Sequence, residues 1–247
     1  MNVIFIGPAG SGKTSLVKAF SEWIKENRKN EVACINLDPG VDYLPYKASF
    51  DIRELFTVEK IMKEENLGPN GALVRAIEKL IENKENIKKI IEGIDADFKL
   101  VDLPGQLEPF IFHRGYEIVK IFDIKRTLGL FLIPAELLTA RGIIIAEFIS
   151  LATRLRLEIH TINILTKSDL LENKNVEELF KNYSKLRKEI EKEEGGLEKD
   201  LIISLAKFTS KVIKEQRIIK TSAKTKEGLD ELYDICHEIF CSCGDIS

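Results

Sequence analysis

Gly7-Pro8-Ala9-Gly10-Ser11-Gly12-Lys13-Thr14 is a complete Gly-x4-Gly-Lys-Thr pattern, and its residue types suit the holding of a polyphosphate. It follows directly on the apolar run Val3-Ile4-Phe5-Ile6 and opens a stretch with Leu16, Ala19, Phe20, Trp23 and Ile24 on one helical face. A strand that turns through glycines into a helix aims successive backbone N–H groups at one point, where the helix dipole adds to them. Gly10, Ser11, Gly12 and Ser15 belong to that cradle, Lys13 is expected to reach the β and γ oxygens, and the Thr14 hydroxyl is expected to ligate Mg2+.

Three more clusters extend this chemistry. Asp102-Leu103-Pro104-Gly105-Gln106-Leu107-Glu108 follows an apolar run. A carboxylate at a strand end can hold Mg2+, and a glycine just after it lets a backbone N–H approach the γ-phosphate, so Asp102 and Gly105 are site candidates. Thr166-Lys167-Ser168-Asp169 ends another run. Guanine presents two adjacent N–H donors that one carboxylate accepts, and adenine lacks that pair, so Asp169 favours GTP over ATP, with the Lys167 stem along the purine face. Thr221-Ser222-Ala223-Lys224 after the last run looks like the companion segment, with the Ala223 N–H meeting guanine O6.

Elements that position these residues are legible as runs at Val3–Ile6, Val32–Leu37, Phe98–Leu103, Thr127–Ile133, His160–Leu165 and Arg217–Lys220, alternating with helical periodicity. That alternation predicts an α/β fold of three layers, a P-loop NTPase with a mostly parallel central sheet flanked by helices. Ligands of such sheets lie beyond the carboxyl ends of the strands, where each cluster falls. We expect one domain over 1–247 with two helical insertions. The first spans about 39–97, with helices over Ile52–Glu65 and Ala72–Ile91 parted by Asn66-Leu67-Gly68-Pro69-Asn70-Gly71. The second, about 172–214, is charged, has Leu179, Tyr183, Leu186 and Ile190 on one face, and breaks at Gly195-Gly196.

The 247 residues are 44% hydrophobic, enough for one large core, and the formal charge of −3 provides no basic field for nucleic acid. The longest apolar run, around Gly142–Phe148, falls short of a membrane span, and an N-terminal strand required by the phosphate loop is not a removable signal. A soluble, cytoplasmic protein is expected, and the four cysteines show no secreted disulfide framework. Abundant Lys, Glu and Ile with only Gln106 and Gln216 as glutamines match proteins of hot environments.

Over nearly its whole length the chain resembles the GPN-loop GTPases, relatives of the signal-recognition and MinD class, and an archaeal, heat-adapted member in particular. The resemblance rests on the motifs above and on Asn36-Leu37-Asp38-Pro39, Val41-Asp42, Pro45-Tyr46, Asp51-Ile52-Arg53 and Leu67-Gly68-Pro69-Asn70-Gly71. It implies a homodimer in which Gly68-Pro69-Asn70 of one protomer reaches the phosphates of the other, Asn70 replacing an arginine finger. Asp38 is then the first choice to position the attacking water, and also a metal-site candidate, with Gln106 and Glu108 next. It further implies a nucleotide switch that assists assembly of a larger complex, the eukaryotic members pointing to RNA polymerase biogenesis and this chain to an unidentified client. Two departures are Pro8, where MinD-like loops carry a signature lysine, and Leu103, where Thr is common. Arg53, Arg75, Arg114 and Arg141 read as surface ion-pair partners rather than fingers.

Two other functions compete. Cys236-His237 and Cys241-x-Cys243 suit a soft metal, as in a GTP-dependent metal-insertion chaperone, although their spacing matches no ligand pattern and a non-liganding tail is the plainer reading. A scaffold that binds GTP without hydrolysing it would share every motif.

Overall fold

The computed structural model describes residues 1–171, 179, 182–192, 195–213 and 218–244, without the side chains of 109–110, 210–213 and 241–244. Arg217, parts of the second insertion, and the side chains of Cys241 and Cys243 lie outside the described residues. Among the described residues seven strands form one sheet: β1 (Asn2–Ile6), β2 (Val32–Asn36), β3 (Phe50–Asp51), β4 (Phe98–Asp102), β5 (Thr127–Pro134), β6 (His160–Thr166) and β7 (Ile219–Lys220). Their order is β3-β2-β4-β1-β5-β6-β7, and every pairing is parallel, so the sheet expected to be mostly parallel is wholly so.

Continuous apolar strands are what a sheet covered on both faces requires. In β1, Ile4 and Ile6 face one core while Val3 and Phe5 face the other, and β5 divides Phe131 and Ile133 from Leu128, Leu130 and Leu132 in the same way. The second core is closed by α1 (Lys13–Asn27) through Leu16, Phe20 and Ile24 and by α10 (Leu229–Gly244) through Leu229, Leu232 and Ile235. The first core is closed by α2 (Val58–Glu64), α3 (Pro69–Glu82), α4 (Lys84–Glu92), α6 (Tyr116–Val119) and part of α7 (Ala140–Leu157), with the short α5 (Leu107–Ile111) beside them. The chain leaves β1 over one face and β4 over the other, which opens a crevice beyond the strand ends.

Local chemistry moves several boundaries from those read in the sequence. The stretch 52–65 is a 3-10 turn at Ile52–Glu54 followed by α2, because Thr57 takes an extended conformation and accepts the Lys60 N–H at 3.2 Å as N-cap. The stretch 72–91 starts three residues earlier, at Pro69, and divides at Asn83, which closes α3 and opens α4. Strand β3 was not foreseen: two residues are too few to show a period, and only its pairing of Phe50 with Ile35 and Asp51 with Asn36 reveals it.

The second insertion packs α8 (Tyr183–Glu191) and α9 (Leu197–Ile213) on α7, burying Leu186, Ile190 and Ala206 against Ile143 and Ile144, with Leu179 and Tyr183 partly buried beside them. Helix α7 is apolar on nearly every side. It faces the sheet with Ala146 and Leu157 and the insertion with Ile143 and Ile144, yet leaves Ile145, Phe148 and Leu155 exposed. No helix among the described residues is long and apolar enough to cross a membrane.

Candidate functional site

At the phosphate end, Gly12 caps α1 in a left-handed conformation (φ 87°), which leaves the first N–H groups of the helix directed at the loop. Lys13 is buried, and its ammonium donates to the carbonyls of Gly7 (3.0 Å) and Pro8 (3.2 Å). Burial lowers its pKa, while Asp102 and Asp38 pull the other way. Ser11 is wholly buried with an unpartnered hydroxyl, Thr14 is half-buried, and Gly10 and Ser15 are exposed.

Asp102, at the end of β4, is 1% exposed. Its Oδ2 accepts the Tyr46 hydroxyl at 3.2 Å, and its Oδ1 has no partner. Burial raises this carboxyl to about 6, opposed by the nearby Thr14 hydroxyl and the Lys13 ammonium. Asp38 lies just past β2, half-buried. Its carboxylate accepts the Gly40 N–H at 2.8 Å, and burial raises its pKa against the pull of Gly40, Lys13 and the Gly105 N–H. A Cβ on Gly105 would come 3.3 Å from both Ala9 Cα and Lys13 Nζ, so the backbone here lies against the phosphate loop as a γ-phosphate contact requires. Asp38, Asp102, Gly105, Lys13 and Thr14 thus converge. Gln106 and Glu108 are exposed, and among the described residues neither side chain makes a hydrogen bond.

At the base end, a cleft of about 580 Å³ is lined by Gly12, Ser15, Pro45, Lys167, Asp169 and Ala223, among others. Asp169 is exposed to it, oriented by the Ser222 hydroxyl at 2.6 Å, which also accepts the N–H groups of Lys224 (3.2 Å) and Thr225 (3.1 Å). Lys167 adopts a left-handed conformation (φ 59°) and pairs with Glu136 at 2.5 Å. Thr166 is buried and its hydroxyl donates to the Ser11 carbonyl of the phosphate loop at 2.7 Å, so this side chain braces the two loops against each other. The loop closes at Gly228 (φ 71°), where a Cβ would come 1.7 Å from the Lys220 carbonyl oxygen.

Gly68-Pro69-Asn70-Gly71 is the start of α3 rather than a free turn: Gly68 is the extended N-cap, Pro69 takes the first helical position, and Ala72 N–H closes the turn on Gly68 O at 2.9 Å. All four residues are exposed, and among the described residues the Asn70 side chain makes no hydrogen bond. One turn on, Leu73 is beside Gly40, so the segment stands at the carboxyl end of the sheet, near Asp38.

Arg53, Arg75 and Arg114 behave as ion-pair partners. Arg53 chelates Asp51 and donates to the carbonyls of Val41 and Asp42, Arg75 bonds Glu65, Glu78 and Glu82, and Arg114 bonds Glu117. Tyr46, Asn36, Glu136 and Glu227 acquire roles that no motif assigned. Asn36 holds the Asp38 N–H and the Asp51 carboxylate, and Glu227 accepts from Ser168. Among them Tyr46 and Asn36 carried a signal, their places in the quoted Pro45-Tyr46 and Asn36-Leu37-Asp38-Pro39 segments. Cys236 is wholly buried and its thiol is pushed up to about 12, as a core residue behaves.

A protein-family profile described as "conserved hypothetical ATP binding protein" matches residues 5–242. The GPN-loop GTPase PAB0955 of Pyrococcus abyssi is 36% identical over 256 residues, covering all of both chains. The crystal structure of this GTPase in its apo form superposes with a TM-score of 0.86 at 33% identity, covering 98% of each chain. The GPN-loop GTPase QQT1 of Arabidopsis thaliana is 34% identical over 175 residues, which are 68% of this chain and 58% of that one.

Proposed function

The chain belongs to the GPN-loop GTPase family, and on that premise we propose that it hydrolyses GTP to GDP and phosphate as a Mg2+-dependent homodimer whose Asn70 acts on the partner's nucleotide. The observation that carries this reading is the pairing of two facts. The phosphate seat is assembled within one chain, whereas Asn70, the residue expected to act on the phosphates, points to solvent with its amide unused. A neutral donor supplied across a two-fold axis can take the place of an arginine finger.

Guanine over adenine is favoured by Asp169, since an adenine would leave an oriented carboxylate without donors. The residues fit a divalent metal: Asp102 Oδ1 is buried and unpartnered, Thr14 adds a second hard oxygen, and Asp38 is close enough to act through water. Mg2+ held by these residues would neutralise negative charge on the phosphates. This chain's own residues do the rest. Lys13 exchanges two neutral carbonyls for phosphate oxygens, the Gly105 N–H meets the γ-phosphate, and Asp38 orients the attacking water. Gln106 and Glu108 must move inward to share that task. A second copy has an apolar surface to cover, since Ile145, Phe148 and Leu155 follow one another along an exposed face of α7 with Phe112 also exposed. Turnover would then drive assembly of a larger complex through an unidentified protein client, segment 105–111 sensing the γ-phosphate.

Mixed dimers test the trans arrangement. Lys13→Ala and Asn70→Ala are each expected to lower GTP turnover, roughly 10²-fold or more. Combined, a Lys13→Ala protomer lends its Asn70 to the intact phosphate loop of an Asn70→Ala protomer, so the mixture regains one working site in each heterodimer. No recovery, with heterodimers demonstrably present, would exclude action in trans. Full turnover by Asn70→Ala alone would remove the residue from the mechanism.

A further inference from the structure

We infer that Tyr46 is a positioning residue for the Asp102 carboxylate, holding Oδ2 so that Oδ1 is left as the free oxygen for the metal. The inference rests on the reading of Thr14 and Asp102 as metal ligands. Asp102 is almost wholly buried and has one satisfied and one unsatisfied oxygen: the nearby Thr14 hydroxyl leaves Oδ1 unsatisfied, while the Tyr46 hydroxyl donates to Oδ2 at 3.2 Å. A buried carboxylate deprived of that donor would seek the nearest cation. Lys13 is that cation, and here it is directed instead to the carbonyls of Gly7 and Pro8. Tyr46 therefore keeps carboxylate and ammonium apart, one for the metal and one for the phosphates.

The segment that carries Tyr46 is fixed at both ends. Arg53 binds the carbonyls of Val41 and Asp42 while chelating Asp51, and Asn36 bonds Asp51 in turn. Between these anchors, Pro45 lines the base cleft and the Tyr46 ring packs with the core that contains α1. Two adjacent residues thus touch the base end and the metal end of one ligand. An aromatic ring anchored in the core and tipped by a hydroxyl makes a stiffer donor than a serine or a water would.

Tyr46→Phe keeps the ring and removes only the hydroxyl. The test is the affinity of a fluorescent GDP analogue at stepped Mg2+ concentrations, with thermal unfolding as a check on the fold. For the variant we expect unchanged affinity without Mg2+, while the Mg2+ concentration giving half of the metal-dependent tightening rises on the order of tenfold. In an Asp102→Asn background the same change should add nothing, since the two act as one unit. An unmoved Mg2+ midpoint in Tyr46→Phe overturns the inference and leaves the metal site intact. A lowered midpoint also overturns it, because the hydroxyl would then be obstructing the metal. Loss of affinity without Mg2+ would make Tyr46 an architectural residue and overturn it as well. Should the unmodified protein bind the analogue equally with and without Mg2+, the metal assignment itself falls, and this inference with it.

Discussion

Lys13, Asp38, Asp102, Lys167 and Asp169 are each held by neighbours that a ligand must displace or exploit. Asp169 shows this most simply, being oriented by Ser222 with its remaining capacity directed at the cleft. Asp169→Asn replaces an acceptor with a donor on one side, so GTP affinity should fall by roughly 10²-fold while xanthosine triphosphate gains, as competition binding can measure. Retained GTP preference would remove Asp169 from base recognition. A second residue-scale effect lies outside the site. Glu147 on α7 is buried, and burial raises its carboxyl to about 7, opposed by a hydrogen bond from Thr209. A carboxyl whose folded pKa exceeds the unfolded value costs the folded state nothing at low pH. The cost grows as pH climbs through the interval between the two values and is complete above about 7. Glu147→Gln should therefore stabilise the protein at pH 8, on the order of 1–3 kcal/mol, and leave it unchanged near pH 4.5. Denaturant titrations at the two pH values check this, and equal effects at both would show that charge is not the cause. The site motifs were legible because each couples a residue type to a strand end. Glu136 and Glu227 were not, because a supporting carboxylate has no preferred spacing and is defined only by where the chain returns.

Among the elements, the loop after β7, proposed to meet the base, depends on one backbone geometry. Gly228 has a left-handed conformation, and any Cβ there would collide with the Lys220 carbonyl. Gly228→Ala should destabilise the protein by about 2 kcal/mol or more and weaken GTP through the displaced Ser222 and Ala223, to be read by thermal unfolding and nucleotide titration. Normal behaviour would mean that the loop relaxes freely. Gly-Pro-Asn-Gly has the composition of a turn, yet Pro at the first helical position serves equally well to start a helix, and here it does. The Asn70 amide is thereby mounted on the first turn of a 14-residue helix, whose Ala72, Ala76 and Leu80 are locked in the core. Five strands were visible as apolar runs because their residues are largely buried on both faces, and β7 was read within the longer run 217–220. Strand β3 was hidden, since two residues carry no pattern and their pairing depends on contacts far away in sequence.

For the whole molecule, the proposed dimer makes the exposed α7 face the decisive surface. Replacing Ile145 and Phe148 together by Glu should yield a monomer by light scattering, with nucleotide binding retained and turnover reduced to the level of Asn70→Ala. A dimer that persists unaltered would place the interface elsewhere. Fold class was readable from the alternation of runs, whereas this face was not, because a helix apolar on nearly all sides does not say which side remains uncovered. The brace between Thr166 and Ser11 bears on the molecule as a whole. β5 pairs with β1 on one side and β6 on the other, so the loops after β1 and β6 flank its end, and a single hydroxyl ties them across that gap. Their separation is two strand spacings, about 10 Å. On the proposed reading the sheet acts as a ruler, cut before any ligand arrives, on which a purine and its outer phosphates must both register. Free phosphate or free guanosine satisfies only one mark, and a nucleotide with a lengthened or shortened link between base and phosphate satisfies neither pair of contacts at once.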